Sequence, residues 1–147
     1  MENRELRLIV PLLLLLGGCG ASRASECNLL TGRINAGVAR VEAFDKERLQ
    51  RPEGGHAQTA QSMRQAATLY REISEEIRGL ELTRKELKTL AEDYTFEVRS
   101  AGGAADTLAT ALEAGRQEQA MTADQLYSKH LAQQKKVIEK INGLCSR

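Results

Sequence analysis

The chain has no tryptophan, only two phenylalanines and three tyrosines among 147 residues. So few aromatics leave little material for β-sheet packing or for platforms on which nucleic-acid bases could stack. Proline occurs twice, so little interrupts a helix. Neither sign of charge dominates: 21 Lys and Arg stand against 20 Asp and Glu. No net field draws the chain to nucleic acid, and none is expected as a partner. What is abundant is Ala, Leu, Glu, Gln, Lys and Arg, the better helix formers. The length suits one ordinary domain.

Cysteine is scarce and odd in number, at positions 19, 27 and 145. One of the three therefore calls for a role other than pairing. Cys19 closes the stretch "PLLLLLGGCG". Before it lie a short polar start, "MENRELR", and a nine-residue apolar run, "LIVPLLLLL". A helix across a bilayer takes roughly 20 apolar residues. The run is too short for that and has the length of a secretory signal's apolar core, followed by small residues.

Leu16-Gly17-Gly18-Cys19 resembles the lipobox of bacterial lipoproteins: an aliphatic residue, two small residues, then cysteine. The resemblance implies a diacylglyceryl group on the Cys19 sulfur and cleavage before Cys19, which becomes the first residue of the mature chain. Two departures are the acids Glu2 and Glu5, which offset Arg4 and Arg7, and Gly17, where Ala or Ser is commoner. Gly20, where relatives retained in the inner membrane often carry Asp, implies the outer membrane, facing the periplasm or the cell surface. The expected organisation is a removed signal over 1–18, a lipid-anchored tether over 19–26 and a helical domain over 27–147.

Export leaves Cys27 and Cys145 to pair in an oxidising compartment. One bridge near the two ends of the mature domain would contribute about 4–5 kcal/mol on a chain-entropy estimate. The seven residues Gly20 to Glu26 would form a tether of roughly 25 Å when extended.

Past Cys27 the apolar residues recur at steps of three and four. Leu30, Ile34, Val38, Val41 and Phe44 form a first stripe. "RPEGGH" breaks it, and Met63, Ala66, Tyr70, Ile73, Ile77 and Leu80 form a second. "LTRKE" reads as a capping box for a third helix, with Thr83 as cap and Glu86 reaching back. Its stripe runs from Leu87 through Leu112, so the helix is expected from about Arg84 to Ala120, with Gly102-Gly103 as a kink or a close-packing point. "MTADQ" reads as the next cap, with Thr122 and Gln125, ahead of Tyr127, Leu131, Val137 (or Ile138), Ile141 and Leu144, and Gly143 marks the end. Four amphipathic helices on short turns predict an all-α, antiparallel up-down bundle. An even number of helices brings Cys27 and Cys145 to the same end, as a bridge requires.

No constellation for catalysis stands out. Glu53 and His56 have E-x-x-H spacing, but Gly54 and Gly55 put them in a loop and no second copy exists. His130 falls beside the fourth stripe as an edge histidine. Glu72, Glu75 and Glu76 fit a solvated face with Arg71 one turn away. The pair Lys135-Lys136 lacks interleaved aromatics and reads as surface. The chain is expected not to be an enzyme and to need no cofactor or metal. The expected role is a lipid-anchored structural or interaction protein of the envelope, partnered by the membrane and by another envelope protein. The alternative rests on "LTRKE" and "MTADQ", which resemble the paired L-T-x-x-Q motifs of the Spy/CpxP family: Thr83 and Thr122 match, while Glu86 and Met121 depart. That resemblance implies a periplasmic holdase or stress sensor.

Overall fold

A computed structural model describes residues 22–50 and 54–146. Cys19 and the apolar run before it lie outside the described residues, as does Glu53. Four helices follow in order: α1 (Arg23–Gln50), α2 (His56–Arg78), α3 (Lys85–Glu113) and α4 (Gln117–Cys145). There is no strand among the described residues. The antiparallel four-helix bundle expected from the periodicity is the fold observed.

The helices do not share the core equally. α3 packs along α2 on one side and α4 on the other, while α1 meets all three more lightly. The buried face of α3 runs its whole length through Leu87, Tyr94, Val98, Ala105 and Leu108. Small residues on that face let the neighbouring backbones close in. A Cβ on Gly102 would lie 3.2 Å from Tyr70 Cβ and 3.4 Å from the Ala67 carbonyl oxygen of α2. Gly102 is thus a close-packing point inside one continuous helix, while Gly103 beside it is exposed. In α1 only the first half is buried, through Glu26, Cys27, Leu30, Ile34 and Gly37. The rest of its stripe, Val38, Val41 and Phe44, is partly covered. Each fully buried Leu or Ile contributes roughly 1.5–3 kcal/mol, so α1 is held mainly by its amino-terminal half.

Several expected boundaries are corrected. α1 begins at Arg23, four residues ahead of Cys27. Ser22 caps it, accepting the Ser25 N–H on its hydroxyl oxygen at 3.1 Å, so residues 23–26 of the expected tether belong to the helix. Between Cys19 and Arg23 stand only Gly20 and Ala21, outside the described residues, and Ser22. α3 ends at Glu113, not near Ala120. Gly115 adopts φ 66°. Its N–H donates to the Leu112 carbonyl at 3.2 Å and that of Arg116 to the Ala111 carbonyl at 2.9 Å, the Schellman closure that a left-handed glycine permits. α4 therefore starts at Gln117, and its extra turn buries Ala120. It also runs past Gly143 to Cys145.

Both expected capping boxes give way. Thr122 and Gln125 lie inside α4, where the Thr122 hydroxyl donates to the Glu118 carbonyl at 3.1 Å. At α3 the N-cap is Arg84, with no side-chain cap bond. Thr83 instead donates its hydroxyl to Glu26, and Glu86 stays exposed in the first turn.

Candidate functional site

The strongest concentration of specific polar geometry lies at the end of the bundle where α1 begins, α4 ends and the α2–α3 connection turns. Cys27 and Cys145 are joined there by a disulfide, with Cα atoms 5.6 Å apart. Arg23 donates from its guanidinium to the Leu144 carbonyl, so the first turn of α1 is tied to the last turn of α4 twice. A cation at a helix carboxyl terminus also complements the helix dipole.

Glu26 does the same work toward α3. Its side chain is buried at 1% exposure, a position a carboxylate occupies only when its oxygens are satisfied. They are: Oε2 accepts the backbone N–H of Thr83 at 3.2 Å and of Arg84 at 3.1 Å, and Oε1 accepts the Thr83 hydroxyl. The carboxyl is held below its ordinary value of 4.5, chiefly by the Thr83 hydroxyl. Burial opposes this, while both backbone N–H groups and the Arg84 charge assist. Three segments far apart in sequence therefore meet on one carboxylate and one disulfide.

Beside this end, along the outward side of α3, runs a groove of about 770 Å³. Leu80 and Leu82 from the α2–α3 connection and Ala91 and Phe96 from α3 supply its apolar surface, with Lys88, Glu92 and Arg99 among them. Phe96 is 63% exposed, far more than a phenylalanine needs to be beside an apolar wall. Its ring meets the His130 imidazole edge-on, with centroids 6.5 Å apart.

Several other titratable groups are committed to contacts between or within helices. His130 of α4 bonds through Nδ1 to Glu97 of α3 at 2.7 Å, where both side chains are largely covered. Tyr70 and Tyr127 share a hydroxyl contact of 3.2 Å, and burial pushes both phenols up. Tyr94 is pushed up to about 12 by burial alone. Glu72 and Glu76 pair with Arg40 of α1, and Glu75 pairs with Arg78. The expected partner Arg71 takes no part, because the face carrying these acids looks toward α1 and not only toward solvent. Lys135 and Lys136 are exposed, as expected of surface residues.

Among the described residues no group of three or more His, Cys, Asp or Glu converges as a metal site would. His56, whose spacing partner Glu53 lies outside the described residues, is exposed at the first position of α2. Of the residues singled out from sequence, the fold brings Cys27 and Cys145 together and brings Thr83 to them through Glu26. Thr122 and Gln125 belong to the opposite half of α4. Glu26 and Arg23 went unremarked in the sequence. Their only signal was a helix-capping serine three residues before Ser25.

Comparison with protein-family models, with curated proteins and with solved structures returns no match for this chain.

Proposed function

We propose that this chain is a lipid-anchored protein of the bacterial cell envelope, tethered through a diacylglyceryl group on Cys19, whose work is interaction rather than catalysis. The observation that carries this reading is the apolar run ending in Leu16-Gly17-Gly18-Cys19, followed almost at once by a domain closed with a disulfide. A Cys27–Cys145 bridge fits an exported protein, since cytosolic thiols are kept reduced. No helix among the described residues is long and apolar enough to cross a membrane; in this reading attachment is through the lipid on Cys19. One acyl chain holds only marginally, whereas the two or three implied by the lipobox anchor stably.

The early start of α1 sharpens the consequence. Three residues separate Cys19 from Arg23, a reach of about 10 Å when extended. The disulfide end then stands against the membrane and presents the groove beside it to neighbours in the same leaflet. The remaining surfaces of the bundle face the periplasm or the cell exterior.

Intact mass of the protein extracted from its own membranes, with and without reductant and thiol alkylation, tests this. The expected chain begins at Cys19, is heavier by two or three acyl groups, and exposes Cys27 and Cys145 to alkylation only after reduction. An unprocessed chain with three free thiols overturns the anchor and the address together.

A further inference from the structure

The geometry points to the groove beside α3 as the docking site for an amphipathic helix of another envelope protein, net acidic along the face that enters. The inference deepens the interaction role proposed above and rests on it. Its apolar part is the exposed Phe96 and the half-buried Leu80 over a floor of buried Leu82 and Ala91, with the Phe96 ring edge-on to His130 and most of its surface left to solvent.

The charges choose the occupant. Lys88 and Arg99 border the groove, are exposed, and join no ion pair within the described residues. Arg78, the third cation, is already engaged by Glu75 at 3.0 Å. Lys88 and Arg99 stand eleven residues apart on α3, about 16 Å and three turns, hence on the same side of the helix. Glu92 lies between them and is also unpaired. The wall therefore reads plus, minus, plus, and its complement is acid, base, acid on a partner about three helical turns long. A single-headed anionic lipid would satisfy one cation and leave the other uncompensated beside an apolar surface. A helix laid in the groove reaches both, with apolar side chains at steps of three and four against Phe96 and Leu80. Complementary charge of this kind sets partner choice and orientation more than affinity.

The test uses the full chain in its own cells, with Phe96 replaced by photoreactive p-benzoylphenylalanine and the crosslinked peptide sequenced by mass spectrometry. The expected product is one predominant segment of another envelope protein, amphipathic at helical period and net acidic on its contacting face. The charge-reversal variant K88E/R99E should lower its yield at least fivefold, and K88R/R99K should retain it. Both variants must keep the helical circular dichroism of the parent, which two exposed positions allow. Crosslinks to phospholipid, to a second copy of this chain or to a neutral or basic segment overturn the proposal. So does a yield unmoved by K88E/R99E, or no protein adduct at all. The anchor is read separately from the intact mass: a chain without lipid that still captures an acidic helix keeps the groove and discards the anchor. A lipidated chain that captures none does the reverse.

Discussion

Glu26 closes the start of a helix that lies 57 residues further along the chain: its carboxylate accepts both the N–H and the hydroxyl of Thr83. A glutamate in the first turn of α1 thereby supplies α3 with the acceptor that its own first turn was expected to provide through Glu86. Local sequence cannot announce this, because the donor and acceptor become neighbours only when α1 docks.

This contact makes stability depend on pH with a definite sign. The folded state holds the Glu26 carboxyl below 4.5, so its contribution is fully present above that value. It is lost as the pH falls through the lower folded-state pKa. Glu26→Gln should lower the Tm near neutral pH by several degrees and flatten the acid limb of the Tm profile below pH 4.5. Thermal unfolding followed by circular dichroism across that range, wild type against variant, reads both effects. An unchanged acid limb would mean that other carboxylates dominate it.

The disulfide and the light packing of α1 lead to a second expectation. The bridge spans a sequence separation of 118, for which the chain-entropy estimate is about 4–5 kcal/mol. Its loss should not fall evenly on the bundle. α2 and α4 each bury a long face against α3, whereas α1 buries little beyond Gly37. In the double variant C27S/C145S, amides of α1 should exchange with solvent well before those of α3. Hydrogen exchange resolved by peptide measures this, and uniform loss of protection across all four helices would contradict it.

How far the architecture can be read from the chain is seen best at the helix ends. The stripes Leu30–Ile34, Ile73–Ile77 and Val137–Ile141 are buried as their spacing implies, because burial of an amphipathic face is a local, periodic signal. The boundaries failed where a single residue outweighed a pattern. Thr122 with Gln125 imitates a cap, but Gly115 takes the one positive φ among the described residues, and the helix turns there. The polar clasp of Arg23, Glu26 and Thr83 is not legible for a different reason: Arg23 and Glu26 read as tether and Thr83 as a local cap, and only the closed bundle brings them together.

Gly115 offers a direct check of that turn. Nothing crowds a Cβ there, but φ lies at 66°, where a side chain costs about 1–2 kcal/mol. Gly115→Ala should destabilise by about 1 kcal/mol, seen as a lower urea midpoint with an unchanged slope. If stability rises instead, the turn has another conformation.

The two adjacent glycines of α3 should respond in opposite directions, which separates close packing from flexibility. A Cβ on Gly103 meets nothing within 4 Å, so Gly103→Ala removes backbone freedom from the unfolded chain at no steric cost. It should stabilise by up to about 1 kcal/mol. A Cβ on Gly102 meets Tyr70 Cβ at 3.2 Å and the Ala67 carbonyl oxygen at 3.4 Å, neither of them the free end of a side chain. Gly102→Val must push α2 and α3 apart and should destabilise by about 1–3 kcal/mol. Urea unfolding of the two variants measures the contrast. If the pair served as a hinge, stiffening Gly103 would impair partner capture at the adjoining groove, and both substitutions would act alike on it. If Gly102 exists to let the helices touch, Gly103→Ala should leave crosslinking at Phe96 intact while raising the unfolding midpoint.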